Sequence, residues 1–364
     1  MNLYLRYTFS FLLLALCLSG CEAVDSLQQS AKMTSMGTSS PLPAQPLYVL
    51  VVGAREYSTN QLVIVDPNIW QVVRRVPLLN VAPWDFNRDP QGRIWIGYGA
   101  EPGSEHRVQV FAPDGSLLKT LTLCSAPYLT IRFAAGRAFV PCLQNGFHAA
   151  VAVVDLNSLE VYKTFDLQVK DDSFLLLATA NSADYILMAG GGNRNHLFLI
   201  NPQTLAVING PQIPASNFET VLSSQGKFLI LNSYLKDHND LVIIDPKAKP
   251  DVSVHRLPAV GPLWGDIIDD TLYAYHNADQ LNNNGDPSRA ISRLNLATGE
   301  TKLWPLPDHW DVRDIAFVNG EIVLAHFIAV QAEKSGLYRF EPKTGEVSLL
   351  VNISGAYRIL PPVP

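Results

Sequence analysis

Short apolar runs of five or six residues, each closed by a polar residue and a turn, recur along the chain from Leu47 onward. Clear examples are LYVLVV (47–52), RIWIGY (93–98), KFLILN (227–232) and EIVLA (321–325), followed by partners such as QLVIV (61–65) and DLVII (240–244). Most are apolar throughout, the pattern of strands covered on both faces, whereas outer runs such as Leu117, Lys119, Leu121 alternate and suit a partly wet edge. The partner strands end at polar-Pro or polar-Leu corners: Asp66-Pro67, Asp155-Leu156, Asn201-Pro202, Asp245-Pro246, Asn295-Leu296 and Glu341-Pro342, with Ala112-Pro113 as the odd member. Successive corners lie 43–50 residues apart. A period of that size, made only of strands, describes a β-propeller blade. The expected fold is therefore all-β: one seven-bladed β-propeller with four antiparallel strands per blade. The first repeat begins directly with its second strand, so residues 356–360 are expected to supply the missing strand and close the ring.

The first residues do not share this pattern. Arg6 followed by the apolar run FSFLLLALCL (9–18) reads as an export signal, too short for a permanent membrane helix. It ends in Leu18-Ser19-Gly20-Cys21, which resembles the bacterial lipobox; an ordinary cleaved signal with an incidental cysteine is the alternative. The expected organisation is a signal peptide at 1–20, lipidated Cys21 with a polar tether at 21–46, and the propeller at 47–364. The resemblance implies a bacterial cell-envelope location, periplasmic or at the cell surface, with the lipid on Cys21 holding the chain to a membrane.

Two cysteines then remain in the domain. Cys124 falls in the connection entering the third blade and Cys142 at the far end of that blade's second strand, which brings both to one face of the hairpin. An oxidising compartment favours a disulfide between them; two half-buried thiols are the alternative. A formal net charge of −6, without clustered Lys or Arg, argues against nucleic acid as a partner.

Residues 61–78 (QLVIVDPNIWQVVRRVPL) look like a YVTN-type propeller repeat, and DPQGRIWIG (89–97) with VFAPDG (110–115) is similar to NHL-type repeats. The resemblance implies blades and leaves the chemistry open.

An aromatic residue stands at or near the start of each innermost strand: Trp84, Tyr128, Phe174, Phe218, Trp264, Trp310 and Tyr357. At equivalent positions they would ring one mouth of the central channel, as a ligand pocket or as packing between blades. Charged residues accompany them unevenly, and the subset expected to face a ligand is Trp84, Asp85, Trp264, Asp266, Trp310, Asp311 and Arg313. His106, His148, His196, His238, His276 and His326 lie near second-strand exits without metal-ligand spacing, and read as loop histidines in solvent. Residues 282–286 (NNNGD) read as a flexible polar loop. No GxSxG, zincin, CxxC or haem-attachment motif occurs, and no cofactor is expected. The expected function is a tethered, monomeric binding protein for a protein, peptide or envelope ligand. The alternative is a lactonase-like hydrolase or lyase with a metal on Asp85, Glu219, Asp266 and Asp314; NHL-like lactonases typically have six blades, against seven counted here.

Overall fold

In a computed structural model of the chain, the repeats become seven four-stranded antiparallel sheets arranged around a common axis. The structure describes residues 41–53, 59–98, 107–123, 131–144, 148–167, 175–182, 184–191, 196–211, 213, 218–232, 239–247, 251–277, 289–307, 309–327 and 334–362. The blades fall in a single unit, Ser40–Pro364. From blade 2 to blade 7 the innermost strands are Pro83–Arg88, Arg132–Ala134, Leu175–Asn181, Phe218–Ser224, Pro262–Ile268 and Val312–Val318.

The innermost strand of blade 1 is the C-terminal Ala356–Leu360, which pairs with Leu47–Val51 (Tyr48 opposite Leu360, Val49 opposite Ile359). Ring closure by the chain's end is thus as expected. It covers the edge that Leu47–Val51 would otherwise present.

The polar corner residues have a local cause. Asp155 Oδ1 accepts from the backbone N–H groups of Asn157 and Ser158 at 3.0 and 2.9 Å, and Asn201 and Asn295 do the same one and three blades further on. Asp66 and Asp245 each bond the N–H two residues on. Such side-chain turns favour Asp and Asn. At the odd corner, Asp114 takes over by accepting from Ser116.

The apolar interior is distributed over seven clusters, each wedged between two neighbouring blades. Between blades 2 and 3, for instance, Trp95, Val108 and Val110 meet Ile131, Val140 and Val154. Both faces of each middle strand are covered, which explains why runs such as 47–51 are buried at every position. Each large side chain buried in this way contributes about 1.5–3 kcal/mol.

All innermost strands run the same way along the axis. Their first residues therefore gather at one mouth of the channel, here termed the entry mouth, and their last residues at the opposite exit mouth.

Candidate functional site

Six innermost strands break register near their start. One extra residue bulges out in each: Tyr357 in blade 1, Trp84 in blade 2, Leu177 in blade 4, Glu219 in blade 5, Leu263 in blade 6 and Arg313 in blade 7. Bulges of this kind re-aim side chains and favour the rims of closed sheets. They also correct the expected aromatic ring. Trp84 and Tyr357 occupy the bulge, Phe218 precedes it, Trp264 follows it, and Trp310 lies ahead of its strand altogether. The aromatics recur in spacing but not in register: the inserted residue is the second of the strand in five of these blades, and the aromatic stands on it, beside it or ahead of it.

The position just after the bulge carries the connected chemistry. There, blades 6, 7 and 1 place Trp264, Asp314 and Arg358. The Arg358 guanidinium lies over the Trp264 ring, 3.8 Å from its centroid, and 4.0 Å from Asp314 Oδ1. Its Nη1 also donates to the Arg313 carbonyl at 3.3 Å. Asp314 accepts from the backbone N–H groups of Ile315 (3.0 Å) and Ile359 (2.8 Å), the second on the next blade. Asp266, one pleat deeper in blade 6, accepts from the Ile267 N–H at 2.8 Å and from the backbone of Phe317 in blade 7. Each of these carboxylates thus ties its blade to the free inner edge of the next.

Electrostatics follow from that placement. Burial pushes the Asp266 carboxyl up to about 7; the Ile267 hydrogen bond opposes this and the Asp314 charge adds to it. Burial also raises Asp314, with Arg358 pulling it back down.

At the entry rim of blade 7, Arg313 pairs with Asp311 (Nη2–Oδ2 2.7 Å, Nε–Oδ2 3.1 Å). Its guanidinium also lies 5.6 Å from the ring of Phe327 and 5.7 Å from that of Tyr357. A third of the Arg313 side chain remains exposed. Trp310 stacks on His326 with centroids 4.1 Å apart and meets Tyr338 edge-on. The Trp310 carbonyl accepts from Tyr275 Oη at 2.9 Å and from Arg289.

Of the residues expected to face a ligand, the structure brings Trp264, Asp266, Trp310, Asp311 and Arg313 to adjacent parts of blades 6 and 7. Trp264 is buried, and both it and Trp310 pack against the cluster between those blades. Trp84 and Asp85 lie on the innermost strand of blade 2, and Glu219 on that of blade 5; their side chains lie outside the described residues, as do Tyr128, Phe174, Cys21, Cys124 and residues 282–286. Cys142 is buried and disulfide-bonded.

Two histidines depart from expectation. His276 and His326 are not in solvent: both are buried at the ends of second strands, opposite the residue before the bulge. His276 Nε2 lies 2.7 Å from Ser292 Oγ and its Nδ1 3.2 Å from the Val260 carbonyl. His326 Nδ1 lies 3.3 Å from both the backbone nitrogen and the carbonyl oxygen of Asp311. Burial lowers both imidazoles to about 4, so they are neutral near pH 7. His106 and His238 fall outside the described residues. Phe327 and Tyr338 complete the cluster without having been singled out, and so does Arg358 as a contact of Trp264. Only Arg358 left a trace in sequence, as a charge beside an aromatic.

Among the described residues, no three His, Cys, Asp or Glu side chains are grouped to hold a metal ion. Asp266 and Asp314 fit one poorly, since backbone N–H groups occupy their oxygens and Arg358 stands beside Asp314.

No protein-family model matches the chain, and no curated protein matches it in sequence. Solved structures do match. The periplasmic gluconolactonase PpgL of Pseudomonas aeruginosa superposes with a TM-score of 0.59 at 15% identity, over 87% of this chain and 98% of that one. A putative 6-phosphogluconolactonase from Bacteroides fragilis gives 0.59 at 13% identity, over 89% and 99%. BamB from Moraxella catarrhalis gives 0.51 at 12%, over 85% and 89%. At such identities the likeness is one of fold.

Proposed function

We propose that this seven-bladed propeller is an exported, lipid-anchored binding protein that presents its entry mouth to a protein or peptide of the bacterial cell envelope. The observation that carries this reading is the use made of the channel carboxylates. Asp266 accepts from the Phe317 backbone and Asp314 from the Ile359 N–H, bonds that join neighbouring blades, and Arg358 lies beside Asp314. They support the ring, while Arg313 with Asp311, Phe327 and Tyr357 forms a partly exposed, aromatic-flanked charge at the rim. Arg beside aromatic rings is the composition of an interaction hot spot. The hydrophobic N-terminal segment ending at Cys21 supports export and lipidation.

Cross-linking on intact cells, followed by purification, tests this reading. The same partner should be recovered with wild-type protein and lost with Arg313→Ala at equal expression and melting temperature. Recovery unchanged by Arg313→Ala would refute an entry-mouth role, and a chain lacking acyl groups on Cys21 would refute the anchor.

One observation favours a second reading, a lactonase-like hydrolase. Asp266, with a carboxyl near 7 beside a second acid, has the protonation behaviour of a general acid or base, and two of the structural neighbours bear lactonase names. Lactone hydrolysis that disappears in Asp266→Asn would establish it.

A further inference from the structure

At the exit mouth, the innermost strands of blades 1 to 4 line an open, solvent-facing depression of about 520 Å³. That size lies within the range of small-molecule sites. Its walls come from segments far apart in the chain, including Arg88, Arg132, Phe133, Leu360, Pro361 and Pro362.

The walls are fixed by bonds between blades. Asn87 Nδ2 donates to the Ile131 carbonyl at 2.7 Å, joining blades 2 and 3, and Asn181 Nδ2 donates to the Phe133 carbonyl at 3.4 Å, joining blades 4 and 3. The acid in the wall, Asp89, is already saturated. It accepts from the backbone N–H groups of Gln91 and Arg93, from Arg93 Nε at 2.5 Å and from Trp95 Nε1 at 2.9 Å. Its charge is therefore balanced by Arg93 on the same turn.

Arg88 is in the opposite situation. Its guanidinium lies over the Tyr48 ring at 5.1 Å, and its Nη2 donates to the carbonyls of Pro361 (2.6 Å) and Leu360 (3.4 Å). Its Nε is buried with no hydrogen-bond partner, and no carboxylate among the described residues pairs with it. A half-buried cation held only by neutral groups pays for desolvation without a counter-charge. Arg132 adds a second guanidinium to the lining, and Phe133, Leu360 and the two prolines supply apolar surface.

We propose that the exit mouth is a binding site for a small carboxylate with a compact apolar body. The carboxylate supplies the missing counter-charge to Arg88, and the Arg132 guanidinium in the same lining adds to the positive potential there. The apolar body rests on Phe133 and the C-terminal prolines. This site lies at the opposite end of the channel from Arg313 and does not depend on the entry-mouth reading.

Benzoate is the probe, titrated calorimetrically into the purified full chain, with benzyl alcohol as its neutral counterpart and inorganic phosphate as an anion without an apolar body. Saturable one-to-one benzoate binding that raises the melting temperature is expected, with neither control matching it. Arg88→Gln should weaken binding at least about tenfold. Arg132→Ala should weaken it too, and serves if Arg88→Gln fails to fold, while Arg313→Ala should leave it unchanged. No saturation by about 10 mM would overturn the proposal. So would equal affinity for phosphate, or binding indifferent to both exit-mouth arginines.

Discussion

The guanidinium of Arg358 sits 3.8 Å from the centroid of the Trp264 ring, although the two residues belong to blades 1 and 6 with the whole of blade 7 between them. Innermost strands converge on the axis, so a long side chain can pass its neighbour and reach the next blade but one. Asp314 of blade 7 lies beneath that reach, 4.0 Å from Arg358 Nη1. A guanidinium, a carboxylate and an indole thereby fasten the ring at the junction that the last strand must close.

Replacing Arg358 by Met removes the cation from both partners and leaves Asp314 largely buried without it. Breaking a buried pair in this one-sided way costs about 3 kcal/mol. A lowered urea midpoint at neutral pH checks this. Asp314→Asn with Arg358→Met should recover part of the loss, because no uncompensated acid remains.

Asp266 makes the native state bind a proton more tightly than the unfolded chain does. Its folded value of about 7 lies above the ordinary carboxyl value near 3.9. Its contribution is therefore fully present below about pH 4 and is lost as pH rises through about 7. Asp266→Asn should be more stable than wild type at pH 8 and should flatten the stability profile between about pH 4 and 7. Denaturant melts of both proteins across that interval measure it.

His276 and His326 produce the opposite slope. Their folded values of about 4 lie below the ordinary imidazole value near 6.5, so the unfolded chain binds the extra protons. Their contribution is present above about pH 6.5 and is lost as pH falls toward about 4. Histidine proton titration by NMR should find two imidazoles that stay neutral at pH 5.5, and His276→Gln should reduce the acid sensitivity of the melting temperature.

Cys142 is disulfide-bonded, and Cys124 is its expected partner, closing a short loop at the start of blade 3. Peptide mapping without reductant should recover a linked pair containing Cys124 and Cys142. Reduction, or Cys142→Ala, should cost about 2–4 kcal/mol. A linked peptide joining Cys142 to another cysteine would refute the pairing.

Blade number, strand identity and ring closure were written in local pattern. A fully apolar run of five or six residues signals a strand covered on both faces, and an Asp or Asn corner signals the side-chain turn that follows it. The first repeat visibly lacked an innermost strand, and Ala356–Leu360 was the remaining segment able to supply it. The chemistry was less legible. Spacing placed Trp84, Trp264 and Trp310 on one ring, yet a single inserted residue per strand moves a side chain to the other face, and these three aromatics stand on, after and ahead of that insertion respectively. His276 and His326 resembled loop residues because nothing local records the neighbouring blade that covers them.

The sequence by itself determined the repeating unit, because strand period, turn chemistry and the polar corners act over a few residues. Tertiary structure decided which residues of different blades meet: Arg358 with Trp264, Asp314 with Ile359, and Arg88 with the C-terminal carbonyls. Those contacts depend on register and on convergence toward a common axis, and both arise only when seven sheets pack against one another and the ring closes.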